Sequence, residues 1–105
     1  MTKYVITKHC SEERMERLVT IGTTIGFGEK VLIESYNPTT DHLERLMDNG
    51  LLLILDAKGE ILVTAFPVSV DRAFAMFKAQ DKEFPNSVAK IFLNKMYKRL
   101  LLKLG

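Results

Sequence analysis

The chain has 105 residues, 47% of them apolar and 27% charged, the balance of one globular domain with a core and not of a disordered chain. The single Cys10 excludes an internal disulfide and any cysteine-cluster zinc site, and no apolar run reaches the roughly 18 residues of a membrane span. Net charge is only +2, yet residues 86–105 hold Lys90, Lys95, Lys98, Arg99 and Lys103 with no acid, while the first 85 residues carry ten bases against thirteen acids.

That asymmetry points to an anionic partner for the C-terminal segment, or equally to a solvated, lysine-rich helix face. The N-terminus has no apolar h-region of a signal peptide, so the expected location is the cytoplasm.

Residues 3–7 (KYVIT) alternate and are β-rich, which suits a short strand or an extended lead-in. Ser11 is placed to cap a helix, with Glu12 and Glu13 at the positive end of its dipole. Met15, Leu18, Val19 and Gly22 fall on one side of that helix and are expected to pack on a sheet. Glu13 and Arg17 share another side, with Arg14 at its border, and an earlier helix start brings His9 to them. Gly22, Gly26 and Gly28 end the helix; their spacing matches neither a dinucleotide fingerprint nor a P-loop, so a connector is expected. Residues 29–36 leave strand and helical turn both open.

Asn37-Pro38 starts a break. Thr40 or Asp41 is expected to cap a short helix carrying Leu43, Leu46 and Met47, with Asp41 and Glu44 at capping-box spacing and Asn49-Gly50 as its C-terminal stop. His42 would lie at the surface of its first turn.

Residues 51–66 (LLLILDAKGEILVTAF) carry the strongest folding signal. Two apolar runs flank Asp56-Ala57-Lys58-Gly59, a turn composition, and so predict a hairpin in the middle of a sheet with both faces covered. Pro67 cannot donate to a ladder and ends the second strand. Ser69 caps a helix with Val70, Ala73, Phe74, Met76 and Phe77 as core residues, and Gln80 to Pro85 connects it to a last helix starting at Pro85-Asn86-Ser87. Val88, Ile91, Phe92, Met96 and Leu100 form an apolar stripe there. Leu93, Tyr97, Leu101 and Leu104 widen it enough for a partner subunit. The expectation is a single α+β domain over residues 1–105: an antiparallel sheet of three to four strands around hairpin 51–66, covered by about four helices including a basic C-terminal one.

Two histidines and one cysteine do not make a metal site, and no cofactor motif is present. The group with most chemistry is His9, Arg14, Arg17 and Thr64. Histidine supplies an acid or base, arginine holds phosphate and stabilises its developing charge, and a hydroxyl positions it. Those are the tools of metal-independent RNA cleavage. The plainer alternative pairs Arg14 and Arg17 with Glu13 and Glu16, leaves His9 in the helix cap and makes Thr64 a β-former.

The order Ile6-Thr7-Lys8-His9, then Arg14 and Arg17 on a helix, then a hairpin ending Ile61-Leu62-Val63-Thr64, resembles small bacterial and phage proteins of the barnase–colicin–RelE-like nuclease superfamily. The stretch from Val70-Asp71-Arg72-Ala73 through Met76-Phe77-Lys78 to Pro85-Asn86 is similar to small phage proteins. The resemblance implies N-terminal helices against a curved antiparallel sheet and action on RNA, with His9, Arg14, Arg17 and Thr64 as catalytic residues. The chain departs from those toxins in charge: Asp56 and Glu60 stand in the hairpin, and the positive charge sits on the last helix. The alternative, of a different class, is a non-catalytic phage accessory module. Its basic helix (Lys90, Lys95, Lys98, Arg99, Lys103) would contact nucleic acid, or its apolar stripe would hold a protein partner or a second copy.

Overall fold

The computed structural model describes residues 5–6, 16, 18–19, 21 and 26–104, with the side chains of 5, 6, 96, 100, 103 and 104 outside that description. Strand β4 (Leu51–Asp56) and strand β5 (Ile61–Pro67) pair antiparallel, as the apolar runs predict. Every residue from Leu51 to Leu55 is buried. Successive side chains of a strand point to opposite faces, and the two faces feed two separate cores. Leu52 and Ile54 pack with Ile33, Leu46, Met76, Phe77 and Tyr97. Leu51, Leu53 and Leu55 pack with Leu18, Ile21, Leu62 and Ala65. Full burial of a leucine contributes about 1.5–3 kcal/mol, so this one strand anchors both layers. The turn is closed by Asp56, whose Oδ1 accepts from the N–H groups of Glu60 (2.8 Å) and Ile61 (3.0 Å), and by Gly59 at φ +73°.

Strand β3 (His42–Met47) pairs with β4, and strand β2 (Val31–Asn37) pairs with β3. The open choice at residues 29–36 is therefore resolved as strand from Val31 onward, with Glu29 and Lys30 in the connection before it. The helix expected from Thr40 or Asp41 to Asn49 is corrected to a strand. Six residues between two turn signals are a strand's length and too few to repay helix nucleation, and the buried strand β4 requires a partner on this side. The supposed capping-box residues serve the sheet instead. Asp41, at φ +57°, accepts from the Tyr36 hydroxyl (2.5 Å), and Glu44 accepts from the Asn37 side-chain amide (3.2 Å). Gly50 turns β3 into β4 at φ +87°, and a Cβ there would lie 2.5 Å from the Tyr97 ring.

Strand β1 (Val5–Ile6) runs parallel to β5, giving the order β1-β5-β4-β3-β2. The class is α+β: a four-stranded antiparallel meander with a two-residue parallel strand at its edge. Glu16, Leu18, Val19 and Ile21 are helical, with Leu18 and Ile21 fully buried and Val19 exposed instead of packed.

Three helices have described bounds: α1 (Val70–Ala79), α2 (Asn86–Ile91) and α3 (Lys95–Leu104). Ser69 caps α1 through its side chain, accepting from Arg72 N–H. Ala73, Met76 and Phe77 are its buried face, whereas Val70 and Phe74 are half exposed and Phe74 rests on Phe84. The single last helix of the sequence reading is two helices. Phe92, Leu93 and Asn94 each donate to the carbonyl three residues back, a tightened turn that re-aims the chain. Three bounded helices thus stand against the four expected: the one expected over residues 42–47 is a strand, the last is two, and the N-terminal one has no described bounds. Among the described residues, no helix is long and apolar enough to cross a membrane.

Candidate nucleic-acid interface

The C-terminal segment is fixed from within by aromatic residues. Phe84 meets Phe77 and Phe92, and Phe92 meets Tyr97 edge-on at 5.0 Å between ring centroids. Tyr97 is 5% exposed, its hydroxyl donates to the Val68 carbonyl, and its ring fills the space above Gly50. Burial pushes the Tyr97 phenol above its ordinary pKa. With Tyr97 facing in, helical geometry at about 100° per residue sets Lys95, Lys98, Arg99 and Leu102 together on the opposite side, at spacings i, i+3, i+4 and i+7. All four are exposed. Lys90 on α2 is exposed as well. Lys103 belongs to α3, but its side chain lies outside the described residues.

Charge on this face is not balanced locally. Residues 86–105 contain no acid, and among the described residues the ion pairs are Arg45–Glu34 and Arg72–Glu44, both elsewhere. Helix electrostatics alone accounts for cations in the last turns of α3 but opposes Lys95, its first residue, because the N-terminal end of a helix favours anions by about 0.3–1 kcal/mol. With 1.5 Å of rise per residue, Lys95 and Arg99 are separated by about 6 Å along the helix, close enough to meet neighbouring phosphates of one strand.

The other candidate residues are placed as follows. His9, Arg14 and Arg17 lie outside the described residues, as do Cys10 and Met15. Thr64 is half-buried and pairs with Ile54, so it stands on the sheet face that α1 covers, with Leu52 and Phe66. Leu18 and Ile21 cover the other face. The hydroxyl of Thr64 therefore stands across the sheet from the helical residues nearest Arg17.

What shares its face is a polar group that sequence reasoning missed. His42 and Glu44 alternate on β3, opposite Asn37 and Ser35 of β2. Arg72 reaches down from α1, with its Nη2 3.1 Å from Glu44 Oε1 and its guanidinium 5.4 Å from the centre of the Phe66 ring. The missed signal was the alternation His42-x-Glu44 between two turns, hidden by the helix-forming composition of residues 42–47. Among the described residues no three His, Cys, Asp or Glu side chains gather as metal ligands. Comparison with protein-family models, curated proteins and solved structures gives no match to this chain.

Proposed function

We propose that this protein is a nucleic-acid-binding module that contacts the phosphate backbone through Lys95, Lys98 and Arg99 of α3, with Lys90 and Lys103 adding to the field. One observation carries this reading: an exposed face of α3 on which three cations stand with no carboxylate pairing to them among the described residues. Such a surface binds by releasing counterions, with little regard to sequence. Fluorescence polarisation of a labelled oligonucleotide at low salt tests it. Wild type should bind, and the combined Lys95→Ala, Lys98→Ala, Arg99→Ala variant should lose that binding while keeping its fold by circular dichroism. Equal binding by both would remove α3 from the account.

A second reading, metal-independent RNA cleavage by a RelE-like protein, draws support from the polar face around Thr64. In it, Glu44 takes the proton from a ribose 2′-hydroxyl, whose oxygen attacks phosphorus. Arg72 and Thr64 hold the phosphate, and His42 protonates the departing 5′-oxygen. These residues stand in for the expected contributions of His9, Arg14 and Arg17. Its signature is a 2′,3′-cyclic phosphate product formed in the presence of a chelator and absent with Glu44→Gln. Intact RNA after prolonged incubation with wild type would reject it.

A further inference from the structure

The basic face of α3 contains a residue that phosphate binding does not use. Leu102 is 86% exposed, and Leu93, just before the helix, is 72% exposed. A single exposed leucine is ordinary; the position of this one is not. It follows Lys95, Lys98 and Arg99 by seven, four and three residues, so the three cations occupy the two turns before it on the same outward side of the helix. Tyr97 already supplies the inward anchor, and Leu102 points away from it, so the core has no claim on this side chain. A polyanion held at the three cations would bring its non-phosphate parts down onto Leu102.

We propose that Leu102 is a base-contacting residue and that the ligand of α3 is single-stranded nucleic acid. This rests on the proposed basic-face reading. In a duplex the flat, apolar faces of the bases are stacked inside and only their edges reach the grooves. In a single strand those faces are free to pack on a side chain while the backbone follows a line of cations. An apolar residue at the end of a row of cations is complementary to the second arrangement: charge to phosphate, methyl groups to the base face. The chemistry selects for unpaired bases and not for a particular base, because every base has an apolar face.

The test compares three probes by polarisation or competition: single-stranded oligothymidylate, a duplex of equal strand length, and inorganic polyphosphate, which has the charge but no bases. Leu102→Ser and Leu102→Ala are both made, and because the site is on the surface each should melt with wild type. The expected result is that either substitution weakens oligothymidylate binding about fivefold, the equivalent of roughly 40 Å² of apolar surface withdrawn from water, and leaves polyphosphate binding unchanged. Arg99→Ala should weaken both. If the Leu102 variants bind oligothymidylate like wild type, the inference is overturned while the basic-face reading stands. The same holds if the duplex binds as tightly as the single strand. If neither oligothymidylate nor polyphosphate binds wild type, the basic-face reading itself fails and takes this inference with it.

Discussion

Removing one oxygen, by Tyr97→Phe, tests how α3 is held to the sheet. The Tyr97 hydroxyl donates to the Val68 carbonyl, and Val68 is fully buried. Phenylalanine keeps the ring on Phe92 and over Gly50 but leaves that carbonyl without its donor in a dry site. A buried polar group left unpaired costs about 1–3 kcal/mol. For a domain of this size each kcal/mol lowers the melting temperature by roughly 4–8 °C. Tyr97→Ala removes the ring contacts as well and should cost about 3–5 kcal/mol. Urea unfolding followed by circular dichroism reads both, with the midpoint shifting at constant slope if the unfolded state is unaltered. Lys98→Ala, one residue away but exposed, should stay within about 0.5 kcal/mol of wild type. A Tyr97→Phe midpoint equal to wild type would refute the claim that this hydrogen bond fastens α3.

The same phenol makes a pH prediction. Burial raises its pKa in the folded state above the usual 10.0, so its contribution is fully present below pH 10 and is lost as pH rises through the folded value; Tyr97→Phe should lose less stability than wild type between neutral and strongly alkaline pH. Asp56 behaves in the opposite sense. Its carboxylate is held below the ordinary 3.8, chiefly by the Ile61 N–H, so its stabilisation is present above that value and fades as acid protonates it; Asp56→Asn should lower the melting temperature at pH 7 more than at pH 3. Gly50→Ala combines φ +87° with a Cβ 2.5 Å from the Tyr97 ring and should cost about as much as an overpacked core, roughly 1–3 kcal/mol, by urea unfolding. Asp81 ends α1 at φ +53°, with Lys82 N–H bonded to Phe77 O and Asp81 N–H to Lys78 O. That is the place glycine normally takes in this helix stop, and Asp81→Gly should raise stability by about 0.5–1 kcal/mol.

The hairpin was legible because composition and position agreed. Leu51 to Leu55 is apolar without interruption, and Asp56 to Gly59 leaves the chain only a turn. Ser69 marked the start of α1 for the same reason: local chemistry and tertiary packing asked for the same thing. Residues 42–47 were misread because His-Leu-Glu-Arg-Leu-Met is good helix-forming sequence, and only the unpaired edge of β4, a tertiary fact, makes it a strand. The break at Phe92 to Asn94 left no glycine or proline to announce it. Among site residues, the lysines of α3 were readable as a charge excess. Their common face was not, because it depends on Tyr97 pointing inward, and the spacing of Leu93, Tyr97 and Leu101 had suggested a broad apolar surface. Arg72 and Glu44 are 28 residues apart in sequence, and nothing local linked them.

The salt dependence of oligonucleotide binding is the most direct test of the central claim. Three phosphates neutralised by Lys95, Lys98 and Arg99 predict a slope of log affinity against log salt of about −2, at roughly −0.7 per contact for a single strand. Each alanine substitution among the three should reduce that slope by about 0.7, and the triple variant should leave only the shallow remainder due to Lys90 and Lys103. A steep slope that survives the triple substitution would place the nucleic-acid contact elsewhere on the molecule, and no binding at low salt would contradict the account altogether.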